Sequence, residues 1–212
     1  MNFLAHQYLS GESEKVKIGN FIGDYIKGKK YQDYHPEVQK GIMLHRNIDH
    51  FTDRHPFFLH SSNRLKKGYQ RYSGVVIDVI YDHFLAKNWN KYHTQTISEF
   101  VTNTHEILVR NYLILPHKVK LFLPFIIQSR RLESYSTIEG LQGTLEIMSR
   151  RTSLPDQTDY AIRTLLDEYD GFENEFDNFM NDLITYVRKE HEITVATPND
   201  WHLNEGKQIT KS

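Results

Sequence analysis

Val75, Val76, Val79, Ile80, Phe84, Leu85 and Trp89 recur at helical spacing on most sides of one segment, and the interior of that segment also holds Asp78 and Asp82. A helix that is apolar nearly all round is a buried helix. Its acids then need an ion pair, a shifted pKa or a metal, because an isolated buried charge is costly. The chain must fold so that this helix is surrounded and its carboxylates are answered.

A second stretch poses the same problem. His45-Arg46-Asn47-Ile48-Asp49-His50-Phe51-Thr52-Asp53-Arg54-His55 sets imidazoles and carboxylates beside Ile42, Ile48 and Phe51. Four residues of α-helix turn through about 400°, so His45 and Asp49 share a face, as do Asp78 and Asp82. Two such pairs facing each other would make a metal cage. The chain has no Cys, which removes thiolate ligands, and imidazole with carboxylate suits zinc, manganese or iron. A single pair of this kind is ordinarily a solvated polar face; several in one region point to a site.

At 212 residues the chain is long enough for one well-buried core without disulfide staples. It has no apolar stretch of signal-peptide type and no run of about 18 apolar residues, so a soluble cytoplasmic protein with no membrane partner is expected. Nor is nucleic acid an expected partner. The charge is uneven: 14 Lys and Arg stand against 9 Asp and Glu in residues 1–93, and 12 against 18 in residues 94–212. A basic first half favours an acidic partner or substrate, unless it is ordinary scatter of surface charge.

Read in order, the pattern predicts an all-α, single multi-helix bundle with no significant sheet. Helices are expected over Asn2–Leu9, Ile18–Lys27, Glu37–Phe51, Phe57–Tyr69 and Val75–Trp89, then about 95–114, 118–132, 135–151 and 157–190. Gly11 to Lys15 reads as a polar loop, Pro124 as a kink and Gly171 as a break in the last helix. Gly19 and Gly23 would let another helix approach closely, and Asn20 and Asp24 share a face beside them. The domain is expected to span 1–194, with 195–212 a polar, mobile tail. Asp53 reads either as a cap for the next helix or as a ligand. His83 projects about 100° from Asp82, so it is a ligand, a carboxylate partner or a core histidine. Arg130, Arg131, Arg150 and Arg151 could clamp phosphate, though such residues near helix ends are more often caps or solvated side chains.

His6, Asp24, His45, Asp49, Asp78, Asp82 and His83 on packed helices suggest metal-assisted hydrolysis, with Lys27, Arg46 or Arg64 balancing charge on a phosphoryl group. Spacing does not choose between phosphate ester, amide and redox chemistry. Several blocks do add a choice. Met1 to His6, Gly19 to Gly28, Gly41-Ile42 through His45 to Asp49, Phe51 to Asp53 with His55-Pro56, and Tyr72 to Asp78 with Tyr81 to Leu85 together resemble the acyl carrier protein phosphodiesterase family. The resemblance implies an atypical HD-domain-like phosphohydrolase, all-helical and manganese-dependent, with magnesium or iron(II) as alternatives. It implies removal of 4′-phosphopantetheine from holo acyl carrier protein, an acidic substrate that suits the basic first half. In ordinary HD enzymes an adjacent His-Asp pair ligates the metal; here that order does not occur, and Asp82-His83 is its reverse.

On this reading Asp24, His45, Asp49, Asp78 and Asp82 are metal ligands. His6, Lys27, Arg46 and His83 are catalytic or further ligating groups, and Lys29, Lys30, Arg64, Lys66 and Lys67 guide the carrier protein. Two alternatives are a phosphohydrolase of nucleotides or small phosphate esters, and a non-catalytic helical module that binds carrier protein.

Overall fold

A computed structural model describes residues 3–129 and 131–198, apart from the side chains of residues 129 and 131. Among the described residues there is no strand. Helix α1 covers Phe3–Tyr8 and α2 covers Glu14–Ile22, after which a 3-10 turn, Gly23–Tyr25, replaces the final turns of the expected 18–27 helix. The earlier start of α2 has a local cause. Ser13 accepts a hydrogen bond from the Val16 amide and Glu14 occupies the first turn, so a stretch that reads as polar loop is a capped helix start.

Helix α3, Pro36–Thr52, opens with proline in its first turn, and the His35 side chain accepts from the Glu37 amide. Helices α4, Pro56–Tyr69, and α5, Ser73–Lys87, follow. Helix α6, Ile97–Arg110, begins in a capping box of Thr96 and Glu99. Helix α7, His117–Ser129, runs through Pro124. That proline lies on the exposed side, where water can satisfy the carbonyl it frees. Helices α8, Arg131–Ser134, α9, Ile138–Arg151, α10, Thr158–Asp167, and α11, Tyr169–His191, complete the order. The long acidic pattern breaks at Glu168, whose backbone leaves the helical region, and Gly171 continues inside α11.

The main core forms around α5: Ile77, Ile80, Tyr81 and Phe84 pack among Leu4 of α1, Leu44 and Ile48 of α3, Leu65 of α4 and Phe172, Phe176 and Phe179 of α11. A smaller core joins Ile18, Phe21 and Ile22 of α2 to Val38 and Ile42 of α3 and to α6 and α7. Helix α3 serves both. It crosses α2 at Gly19 and Gly41, where a Cβ on Gly19 would lie 2.1 Å from the Val38 carbonyl oxygen and one on Gly41 2.2 Å from that of Val16. The backbones meet there, as close approach between helices requires. Val75, at the start of α5, is 38 % exposed and is not part of the buried face.

The expected boundary at 194 is too early. Ile193 and Val195 are buried, Arg188 Nε and Nη2 donate to the Val195 carbonyl at 3.1 and 2.5 Å, and Tyr8 donates to the Ala196 carbonyl at 3.4 Å. The remainder of the expected tail, residues 199–212, lies outside the described residues, as do Met1, Asn2 and Arg130. No described helix is long and apolar enough to cross a membrane.

Candidate metal centre

Three helices and one turn bring a set of polar side chains to the place where α1, α2 and α3 meet. Helix α1 supplies His6, α2 supplies Asn20, the 3-10 turn supplies Asp24, and one face of α3 supplies His45 and Asp49. The rings of His6 and His45 stack at 4.1 Å between centroids. His6 Nε2 lies 3.3 Å from Asp49 Oδ1, and His45 Nε2 lies 3.2 Å from both Asp24 Oδ1 and Asp49 Oδ2. Gly23 makes room, since a Cβ there would stand 2.4 Å from His45 Cγ.

The opposite edge of both rings is held by one amide. Asn20 Oδ1 accepts from His6 Nδ1 at 2.8 Å and from His45 Nδ1 at 3.2 Å. His45 Nε2 is buried between its two carboxylates without a hydrogen bond of good geometry. Burial is the largest influence on His45 and would lower its pKa, but Asp24 and Asp49 outweigh it and hold the imidazole up at about 9. Burial and the neighbouring His45 pull His6 down to about 4. Burial opposes the charge of Asp49 too, yet the two imidazoles hold its carboxyl well below the usual range, and His45 likewise lowers Asp24.

An orphaned imidazole nitrogen beside converging carboxylates fits a divalent cation. Donor atoms of His6, His45 and Asp49 lie within 4.8 Å of one another, and Asp24 adds a fourth, largely exposed carboxylate. Two neutral imidazoles and two carboxylates make an N2O2 set suited to manganese, zinc or iron.

The second expected pair behaves differently. Asp82 is fully buried on α5, and its oxygens accept from the amides of Leu4 at 3.0 Å and Ala5 at 3.2 Å. It anchors the start of α1, where orphan amides and the helix dipole favour an anion, and it faces those amides instead of the cluster. Burial nevertheless pushes its carboxyl up to about 7. Asp78, one turn earlier and partly buried, is also raised by burial, with Asp49 and Asp53 adding to the effect. Asp78 is thus near the cluster electrostatically, whereas Asp82 supports it through α1.

His83 is the core-histidine case: Nδ1 meets the Tyr135 carbonyl and Nε2 the Tyr169 hydroxyl, each at 2.7 Å, so both nitrogens are engaged far along the chain from the cluster. The cluster opens into a cleft of about 510 Å³ bordered by Lys27, Arg46, His50, Asp53 and Arg54. Arg46 donates to the carbonyls of Ile26 at 2.7 Å and Gly28 at 3.0 Å, which ties down the segment carrying Lys27.

Arg64 is not a free docking charge. It pairs with Glu175 and Glu168 and lies over the Phe172 ring at 4.3 Å. Lys29, Lys30, Lys66 and Lys67 are exposed. Arg150 and Arg151 are exposed on α9, with Arg151 over the Phe125 ring at 5.0 Å, and the side chains of Arg130 and Arg131 lie outside the described residues. The residue that sequence reasoning left without a role is Asn20, a polar side chain on an otherwise apolar helix face; His50 and Arg54 at the cleft had no distinguishing signal.

Residues 1–183 match the family model described as acyl carrier protein phosphodiesterase. A protein of Enterobacter sp. strain 638 carrying that name is 30 % identical over 183 residues, covering 84 % of this chain and 93 % of its own. Another with that name, from Yersinia pestis, is 29 % identical over 152 residues, covering 71 % and 79 % respectively. No solved structure matches the chain.

Proposed function

Since the chain belongs to the acyl carrier protein phosphodiesterase family, we propose that it hydrolyses the phosphodiester between a carrier-protein serine and 4′-phosphopantetheine, using a divalent cation, foremost manganese, held by His6, His45, Asp49 and Asp24. The observation that carries this reading is the convergence of two imidazoles and the Asp49 carboxylate within 4.8 Å, with Asp24 against His45, beside an open cleft. When bound, such a cation supplies Lewis acidity toward a phosphoryl oxygen and a nucleophilic water near neutral pH. The likeness to HD-domain phosphohydrolases enters as chemistry only, imidazoles and carboxylates presented from packed helices.

The chain's own groups have separable tasks. Asp49 lies against both imidazoles and fixes their spacing. Arg46 holds the 26–28 segment, which leaves Lys27 at the cleft to balance charge on the phosphoryl oxygens. Burial, with the charges of Asp49 and Asp53 adding to it, raises the Asp78 carboxyl, so it holds a proton more readily than an ordinary carboxylate. In the reaction water oxygen bonds to phosphorus, the phosphorus–oxygen bond to serine breaks, and the serine oxygen takes a proton. The products are apo carrier protein and 4′-phosphopantetheine. Lys27, Lys29 and Lys30 follow one another along the segment at the cleft and suit an acidic carrier protein.

The test is mass spectrometry of holo carrier protein incubated with the purified protein, with manganese and separately with a chelator. Loss of one phosphopantetheine mass with manganese alone is expected. Unchanged mass in both tubes would overturn the activity, and loss in both would overturn the metal requirement.

A further inference from the structure

We propose that Asn20 is a positioning residue that sets one tautomer in both His6 and His45, so that two Nε2 lone pairs point to a single shared cation. The proposal rests on reading the cluster as a metal centre, and its argument is a hydrogen-bond account in which each atom has only one consistent role.

Asn20 is fully buried on α2. The Ser10 hydroxyl donates to the His6 carbonyl at 2.7 Å, so its oxygen is left as an acceptor. Asn20 Nδ2 then donates to both that carbonyl, at 2.8 Å, and Ser10 Oγ, at 2.9 Å. Both amide hydrogens are thereby used. The flipped amide would set Oδ1 against two acceptors, which fixes the orientation. Oδ1 must face the imidazoles, and with two lone pairs it can accept from both His6 Nδ1 and His45 Nδ1.

Each ring therefore carries hydrogen on Nδ1, and its lone pair, when neutral, sits on Nε2. Those nitrogens lie 3.2–3.3 Å from oxygens of Asp24 and Asp49. A lone pair facing a carboxylate is repulsive, and a shared cation turns both sides into ligands. Ligating histidines generally have their second nitrogen held by an acceptor outside the ligand set, which fixes tautomer and ring orientation. Here one side chain does this for two histidines. An amide in this place also adds no charge, so Asp24 and Asp49 alone offset a divalent ion.

The first experiment is long-range proton–nitrogen NMR of the imidazoles in wild-type protein, before and after adding zinc, a diamagnetic probe. Both rings should carry a proton on Nδ1 in both spectra, with Nε2 of His6 bare before zinc is added, and both should bind zinc through Nε2. A proton on Nε2 of His6, or zinc on Nδ1 of either ring, would overturn the proposal. If no zinc is bound, the reading as a metal centre falls, while the proton position on His6 in the zinc-free spectrum still decides for or against Asn20.

Two variants add a second readout, zinc affinity by competition with a chromophoric chelator. Asn20→Leu should lower it about 10- to 100-fold. Asn20→Asp keeps an acceptor toward both Nδ1 atoms but sets its second oxygen against the His6 carbonyl and Ser10 Oγ, so it should restore only part of that loss. Equal loss in the two variants would reduce Asn20 to a packing role, as would wild-type affinity in Asn20→Leu. Should Asn20→Leu not fold, the wild-type spectrum and the Asp variant carry the decision.

Discussion

In protein prepared without metal, Asp24 and Asp49 favour the protonated form of His45, and a cation can take its Nε2 only by displacing the proton there. Its folded pKa of about 9 lies above the ordinary 6.5, so the favourable interaction is fully present below pH 6.5 and is lost as pH rises through about 9. Thermal stability of the metal-free protein should fall across that window. Cation binding at pH 7.5 should release about one proton, with affinity rising about tenfold per pH unit until near pH 9. Calorimetry in buffers of different ionisation enthalpy measures the release, and a buffer-independent heat would contradict the ligand role of His45.

How far these residues could be read in advance depended on the range of the contact. His45 and Asp49 are four apart on one helix, and helical geometry alone puts them together. Asp78 and Asp82 give the same signal, yet Asp82 is answered by amides 77 and 78 residues away. His83 is answered by Tyr135 and Tyr169. A buried polar residue announces that it has a partner; which partner is decided by tertiary packing, and periodicity carries no record of it.

Among the helices, α2 and α3 act as one unit because their backbones touch at Gly19 and Gly41. This unit carries Asn20, His45 and Asp49, so the spacing of the helices is the spacing of the ligands. Gly19→Ala places a methyl group against backbone and forces the helices apart, at a cost of about 1–3 kcal/mol or more. The expected result is a lower Tm together with weaker metal binding in the molecules that remain folded. A variant with normal metal affinity would uncouple this crossing from the site. Close approach by glycine was visible in the sequence at Gly19, whereas its partner Gly41 needed the fold. The helix ends followed their caps: Ser13 started α2 early, and the break at Glu168 had no glycine or proline to mark it.

For the molecule as a whole, the excess of positive charge in residues 1–93 is partly consumed inside the protein. Arg64 neutralises Glu175, which is 6 % exposed, and joins α4 to α11. Arg64→Ala removes the guanidinium from that carboxylate and leaves it to His60 and Ser61, which should cost about 3 kcal/mol in stability, at the low end for a broken buried pair, with the Michaelis constant of folded enzyme for carrier protein unchanged. The double change Lys29→Glu, Lys30→Glu should do the opposite, raising that constant at low salt with Tm nearly constant. Steady-state kinetics beside thermal melts separates them; a raised constant for Arg64→Ala with intact Tm would return it to the docking surface.

Ile193 and Val195 pack into the main core, and Ala196 receives the hydroxyl of Tyr8, two positions beyond His6 in α1 and 188 residues earlier in the chain. The contact ties an early stretch of the chain to one made much later. His6 leaves the ribosome well before residues 193–196, and until these have been made the helix that holds it keeps an uncovered flank. A nascent chain stalled before residue 193 would present every ligand of the cluster and still lack the bond from Tyr8 and the core packing of Ile193 and Val195 that help to hold α1.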